Sequence, residues 1–354
     1  MSEELLGRHP ARWWTAAPAA SDGATGAVEC GLCPHRCRIA PGGRGLCRYR
    51  VNADGQLLAT SYGEVSAIGF DPIEKKPLYH FMPGSTILSL GTVGCNLACA
   101  FCQNWRISQS PAQTRHLSPA EAVAQAGARS PDGSRSVGIA YTYSEPLVWW
   151  EYVYDTARLV RQRGLVNVLV TNGFVEAEPL AELLPWIDAL NVDVKAFSDE
   201  FYRRICRGRL DPVLRTVEAA QARGCHVEVT TLVVPGLNDS PDELERLAGW
   251  LGGIDRGIPL HLSRYFPNYQ MSEPGPTPAA ALRAAAAIAR RHLDHVYVGN
   301  AFELENLDTM CPGCGAVVIR RDGYRIDPAG LRGAACAVCG RRIVSCGPGA
   351  DMVN

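Results

Sequence analysis

Fourteen cysteines stand in a chain of 354 residues, and twelve of them fall into three groups. The middle group, Cys95, Cys99 and Cys102, is spaced Cys-x3-Cys-x2-Cys. Three thiolates suit a [4Fe-4S] cluster. A fourth would close every iron, whereas three leave one iron open, much as a catalytic zinc keeps a position free. A structural zinc with a distant fourth ligand is the plainer use of the same residues. At the C-terminal side, Cys311-Pro312-Gly313-Cys314 and Cys336-Ala337-Val338-Cys339 form two knuckles, each followed by a Gly that permits a tight turn. Two such knuckles have the spacing of a tetrahedral Zn2+ ribbon, with a second iron–sulfur cluster as competitor and Cys346 spare. The N-terminal group, Cys30, Cys33, Cys37 and Cys47, is less diagnostic. Zinc, an auxiliary cluster and unligated redox thiols all stay open there. Cys206 and Cys225 stand alone. Short CxxC-type spacings argue for metal, and a reducing compartment argues against disulfides.

These groups must be positioned by a scaffold. Strand-like runs at 86–91, 137–142, 166–170, 189–194, 226–234 and 260–265 alternate with helical patterns near 118–129, 146–163, 176–186, 211–223, 240–251 and 278–292. Ser118-Pro119, Ser240-Pro241 and Thr277-Pro278 look like N-caps followed by Pro. Alternation of this kind predicts a parallel sheet with right-handed crossovers. The expected fold is therefore α/β, a partial (β/α)6 TIM-type barrel with small Cys-rich modules at both ends. The expected division is 1–85, 86–304 and 305–354. In a barrel, the cysteine loop after the first strand lies at the C-terminal mouth, where active sites sit.

Composition excludes several classes. Hydrophobic residues make up 47% and charged residues 20%, which is globular and not disordered. A net charge of −1 gives no general reason for nucleic-acid or anionic-membrane binding. The longest stretch without Asp, Glu, Lys or Arg, 77–105, holds Pro, Gly, Asn and three Cys and is no membrane span. The start, MSEELLGRHP, has no apolar core of a secretory signal, so a cytoplasmic location is expected.

The loop Gly94-Cys95-Asn96-Leu97-Ala98-Cys99-Ala100-Phe101-Cys102-Gln103-Asn104-Trp105 resembles the signature of the radical S-adenosylmethionine (SAM) superfamily. The resemblance implies that Cys95, Cys99 and Cys102 hold the cluster and that SAM chelates the open iron. It implies reductive cleavage of SAM to a 5′-deoxyadenosyl radical that abstracts hydrogen from a substrate, the chemistry of an oxidoreductase. By the same match Phe101 packs near the adenine. Asp71-Pro72-Ile73-Glu74-Lys75-Lys76-Pro77-Leu78-Tyr79-His80-Phe81, with the N-terminal cysteines, is similar to the radical SAM protein of the AmmeMemoRadiSam system. That group is related to pyruvate formate-lyase activating enzymes. Many relatives carry Gly-Gly-Glu at the second strand end. Tyr143-Ser144-Glu145 keeps the carboxylate without the glycines, so Glu145 and Ser144 are carried over as SAM contacts. Asn172, in Thr171-Asn172-Gly173, and Lys195, after Asp193, match segments that border SAM. Helix capping by Glu145 and an Asp193–Lys195 ion pair are the plainer readings.

The resemblance also implies an electron donor such as flavodoxin or ferredoxin, and AmmeMemoRadiSam partner proteins. His261, Arg264 and Tyr265 are a candidate substrate grip. Asn238 and Asp239 are expected to cap the following helix. Residues 71–80 are expected to be a loop, either a lid or a belt. Two further functions stay open: glycyl-radical activation of a partner protein, and an inert barrel that binds nucleic acid or protein through an Arg-bearing ribbon.

Overall fold

The computed structural model describes residues 9–18, 25–301 and 307–347. The start of the chain and the expected boundary at 304/305 lie outside these residues. The central sheet has eight strands, here β1 (Ala67–Pro72), β2 (Thr86–Gly91), β3 (Ser136–Tyr141), β4 (Val166–Thr171), β5 (Ala189–Asp193), β6 (His226–Val233), β7 (Leu260–Arg264) and β8 (Val296–Gly299). They lie side by side in chain order. β1 pairs antiparallel with β2, and every later neighbour is parallel. The fold is thus α/β with a mainly parallel sheet, and it carries two strands beyond the six expected. β1 is a half-buried edge containing Gly and Pro, so it shows no alternation. β8 is only four residues long.

Helices fill the crossovers because both sheet faces need cover. In Trp150–Gln162 the buried Trp150, Val153, Ala157 and Val160 recur at helical spacing. Ser118 and Ser240 cap their helices as expected, Ser118 within a full capping box. Thr277 does not. Pro278 takes the N-cap position, while Thr277 Oγ1 donates to Val233 O at 2.6 Å and accepts from Tyr265 N at 2.9 Å. β3 and β4 approach so closely at Gly138 that a Cβ there would collide with Val166 O.

Short antiparallel strands flank the sheet on the N-terminal side. On the C-terminal side, Thr309–Met310, Val317–Asp322 and Arg325–Asp327 form a small sheet around Val318, Ile319, Ile343 and two cysteines. The segment 71–80 starts near the base, where Pro72 pairs with Thr86 at the start of β2, and sends Lys75 and Lys76 to the cavity. Asp71 and Pro72 end β1, and Ile73–Lys75 form a 3-10 turn. His80 then reaches the base. Its N–H donates to Glu228 at 2.7 Å, and its ring pairs with Ile343 O at 2.9 Å and Tyr297 Oη at 2.6 Å. Arg321 reaches back from the C-terminal sheet to Tyr79 O at 2.8 Å. Among the described residues, no helix is long and apolar enough to cross a membrane.

Candidate iron–sulfur and cofactor site

β2 runs straight into the cysteine loop. Cys95, Cys99 and Cys102 line one cavity of about 320 Å³ at the C-terminal ends of the parallel strands. Hydrogen bonds hold the loop from several sides. Leu97 N donates to Cys95 Sγ at 3.3 Å, and Ser108 Oγ lies 3.2 Å from Cys102 Sγ. Ala98 N donates to Cys206 O at 2.9 Å, and Ala100 N to Ile205 O at 3.0 Å. Cys206, isolated in the sequence, is thereby brought beside the loop that carries Cys99. Cys206 pulls the Cys99 thiol below its ordinary value; burial opposes it and Lys195 assists. Burial pushes Cys95 and Cys102 up. No spacing rule could have found Cys206, because a π-helical turn, Tyr202–Cys206, delivers it.

The end of β3 is bent. Tyr143 has φ +68°, a left-handed conformation that glycine adopts at less cost. It stands where the relatives' first glycine would be. The strain is held by contacts: Tyr143 Oη donates to Asp71 at 2.7 Å, and Tyr143 O accepts from Asn104 Nδ2 at 2.6 Å. The bend puts Ser144 on the cavity wall, its Oγ buried and without a hydrogen-bond partner among the described residues. Glu145 follows, fully buried. Its Oε1 accepts from Leu147 N at 2.9 Å and Thr171 Oγ1 at 2.6 Å, and its Oε2 from Asn172 N at 2.8 Å. The capping reading of Glu145 is therefore present, joined by a brace to β4. Burial pushes its carboxyl up to about 7 against these donors.

Asn172 faces the cysteine loop, with Nδ2 2.9 Å from Asn96 Oδ1 and 3.5 Å from Cys95 Sγ. Lys195 lines the cavity and pairs with Asp193 at 2.7 Å. Burial works against the Lys195 charge, but Asp193 and Cys99 outweigh it and hold the ammonium above its ordinary value. Phe101 is buried on the same wall, 6.0 Å from the Phe201 ring. Lys75, Lys76, Thr230, Leu232, Ser263 and Asn300 complete much of the lining.

Several expectations do not survive the geometry. His261 is buried below the cavity, 2.6 Å from Glu228. Tyr265 Oη donates to Met271 O, and Arg264 Nε to Thr277 O. The three do not converge as a grip: β7 ends at Arg264, and none of them lines the cavity, which Ser263 reaches instead. Asn238 and Asp239 are not caps either. Asn238 staples its own loop to Lys195 O and Leu232 O, and Asp239 accepts from Gly236 N.

The residues present fit a thiolate-held cluster with an amino-acid zwitterion beside it. Three thiols, an unpartnered hydroxyl, two acids and three lysines share a single cavity, and that donor set suits iron, ammonium and carboxylate together. A family model described as the radical SAM superfamily matches residues 89–251. The chain carries a radical SAM domain over these residues. It is 41% identical over 323 residues to an uncharacterized protein of Methanocaldococcus jannaschii, covering 89% of this chain and 95% of that one. It is 27% identical to the pyruvate formate-lyase-activating enzyme of Clostridium pasteurianum, over 46% of this chain and 67% of that enzyme. A radical SAM methyltransferase from Sphaerobacter thermophilus shares the fold with a TM-score of 0.50 at 18% identity, over 83% of this chain and 77% of the other. That domain makes this protein a radical SAM enzyme, a class that works with an iron–sulfur cluster and SAM.

The C-terminal knuckles bring Cys311, Cys314, Cys336 and Cys339 together, with all four sulfurs within 4.8 Å of one another. Cys311 and Cys339 are 3.5 Å apart, and Cys314 and Cys336 3.7 Å. The N-terminal cysteines line a separate small cavity.

Proposed function

We propose that Cys95, Cys99 and Cys102 hold the [4Fe-4S] cluster and that SAM occupies the cavity beside it. Bound there, the pair supplies one-electron cleavage of the SAM sulfonium and a 5′-deoxyadenosyl radical that takes hydrogen from a substrate. The observation that carries the reading is convergence on one wall: three thiols of one loop, the unpartnered Ser144 hydroxyl, Glu145 and Lys195. In this reading Glu145 and Ser144 receive the SAM ammonium, and Lys195 its carboxylate or ribose. Asn172 positions Cys95, and Phe101 packs toward the adenine. The buried walls exclude water from the reacting atoms. An external one-electron donor of the flavodoxin or ferredoxin class serves the cluster.

The finer assignment, to the AmmeMemoRadiSam group with its partner proteins in the cytoplasm, rests on residues 71–81 and 94–105. The division at 85 and 304 and a Zn2+ in the ribbon belong to the same proposal. A second reading, activation of a partner protein, is favoured by the likeness to the Clostridium pasteurianum activating enzyme. A nucleic-acid role for the ribbon has less support, because Arg321 and Arg341 are engaged with Tyr79 and Asp294. The test is anaerobic reconstitution followed by dithionite-dependent SAM cleavage, read as 5′-deoxyadenosine. Cleavage by the parent protein and none by Cys99→Ala is expected. Equal cleavage by both would overturn the assignment of the ligands.

A further inference from the structure

The N-terminal cysteines come from three places in a small antiparallel fold. Cys30 ends the strand Val28–Cys30, Cys33 and Cys37 lie in the turn after it, and Cys47 precedes the strand Arg50–Ala53. Cys30 N donates to Cys37 O at 2.9 Å, which closes the turn. All four side chains line one cavity, and all four are free thiols.

An independent feature points into the same cavity. Arg50 is on its wall and 1% exposed. Its Nη atoms bind Glu151 at 2.6 and 2.8 Å and Arg12 O at 2.8 Å. Its Nε is buried with no hydrogen-bond partner among the described residues. An orphaned cationic N–H is costly unless something accepts from it. A metal-bound thiolate is such an acceptor.

We propose that Cys30, Cys33, Cys37 and Cys47 bind a single thiophilic divalent cation of the zinc class. Four thiolates on the wall of one cavity are a full set for one tetrahedral ion. Four thiolates leave no open position, so the ion does no chemistry on substrate.

Its work is positional. His35, two residues after Cys33, meets Asn96 O at 2.7 Å. Gly94, with φ +87°, packs so closely on the Cys47 turn that a Cβ would lie 2.6 Å from Cys47 O. Two knuckles of this site thus form the back of the loop that presents Cys95. This second step rests on the cluster assignment above; the ion site does not.

The test is metal analysis of the full chain, purified anaerobically. Besides the parent protein, it uses Cys33→Ser/Cys37→Ser and the ribbon variant Cys314→Ser/Cys339→Ser. Two equivalents of zinc are expected in the parent and one in each double variant. Cobalt substitution should show tetrahedral thiolate bands of half intensity in each variant. If Cys33→Ser/Cys37→Ser does not fold, the ribbon variant still decides: one retained equivalent supports the site, and none overturns it. Extra iron in place of the N-terminal zinc overturns the single-ion assignment. Where Cys33→Ser/Cys37→Ser folds, its central cluster should bleach several-fold faster under a chelator. An unchanged rate would overturn the positional role and leave the ion site standing.

Discussion

Glu145 Oε2 accepts the backbone amide of Asn172 at 2.8 Å, so the end of β3 is fastened to the end of β4 beside the cysteine loop. One carboxylate thus braces the scaffold and lines the cavity proposed for SAM. Glu145→Gln replaces an acceptor oxygen by a donor that cannot serve the Asn172 or Thr171 side equally. Thermal stability should drop by about 1–3 kcal/mol for the group left unsatisfied. SAM affinity should fall about tenfold or more with the lost charge. Calorimetry of unfolding and equilibrium SAM binding measure the two separately. Unchanged affinity with reduced stability would assign Glu145 to bracing alone.

The same carboxyl makes a pH prediction. Burial raises it in the folded chain from 4.5 to about 7. Between those values the folded state holds more protons than the unfolded one, so stability falls as pH rises through the window. Its contribution is fully present below 4.5 and gone above about 7. SAM affinity should run the other way, because the carboxylate anion is what pairs with the ammonium. Parallel denaturant and binding titrations across this range check the opposed slopes. Slopes of the same sign would show that another group governs the site.

Cys206 is held beside the loop of Cys99, through Ala98 N on its carbonyl, without being one of the three cysteines proposed as ligands. Cys206→Ala should leave cluster iron intact and lower the cluster potential, since hydrogen bonds to ligand sulfur raise it. A redox titration followed by electron paramagnetic resonance reads this. Loss of cluster iron would instead make Cys206 a fourth ligand.

Removing the ribbon metal should unfold only the C-terminal sheet. Its core is six residues, two of them cysteines, too few to hold without a cation. A strong chelator should raise hydrogen exchange over 309–344 while the strands of the central sheet stay protected. Loss of protection in β6 and β7 would show that the two parts unfold together through His80 and Arg321.

The sequence made β2 to β7 legible because continuous apolar runs alternate with capped helices. It could not announce β1, whose residues Ala67–Pro72 are all half-buried at an edge. The three loop cysteines were legible from spacing. Cys206 was not, since it arrives through a π-helical turn with no local pattern. Alternation along the chain puts His261, Ser263 and Tyr265 on one face, yet depth separates them. Ser263 reaches the cavity, while His261 sits with Glu228 and Tyr79 beneath it. Tyr143 shows the limit of a motif: its left-handed backbone takes the place of an absent glycine because Asp71 and Asn104 hold it.

The segment that carries Lys76 to the cavity and His80 to the base also stoppers the barrel. Tyr79, His80, Tyr297, His261 and Glu228 close the floor beneath the cavity. With that floor closed, the proposed SAM and its substrate cannot enter from below. A bulky substrate can offer only a projecting portion of itself to the interior.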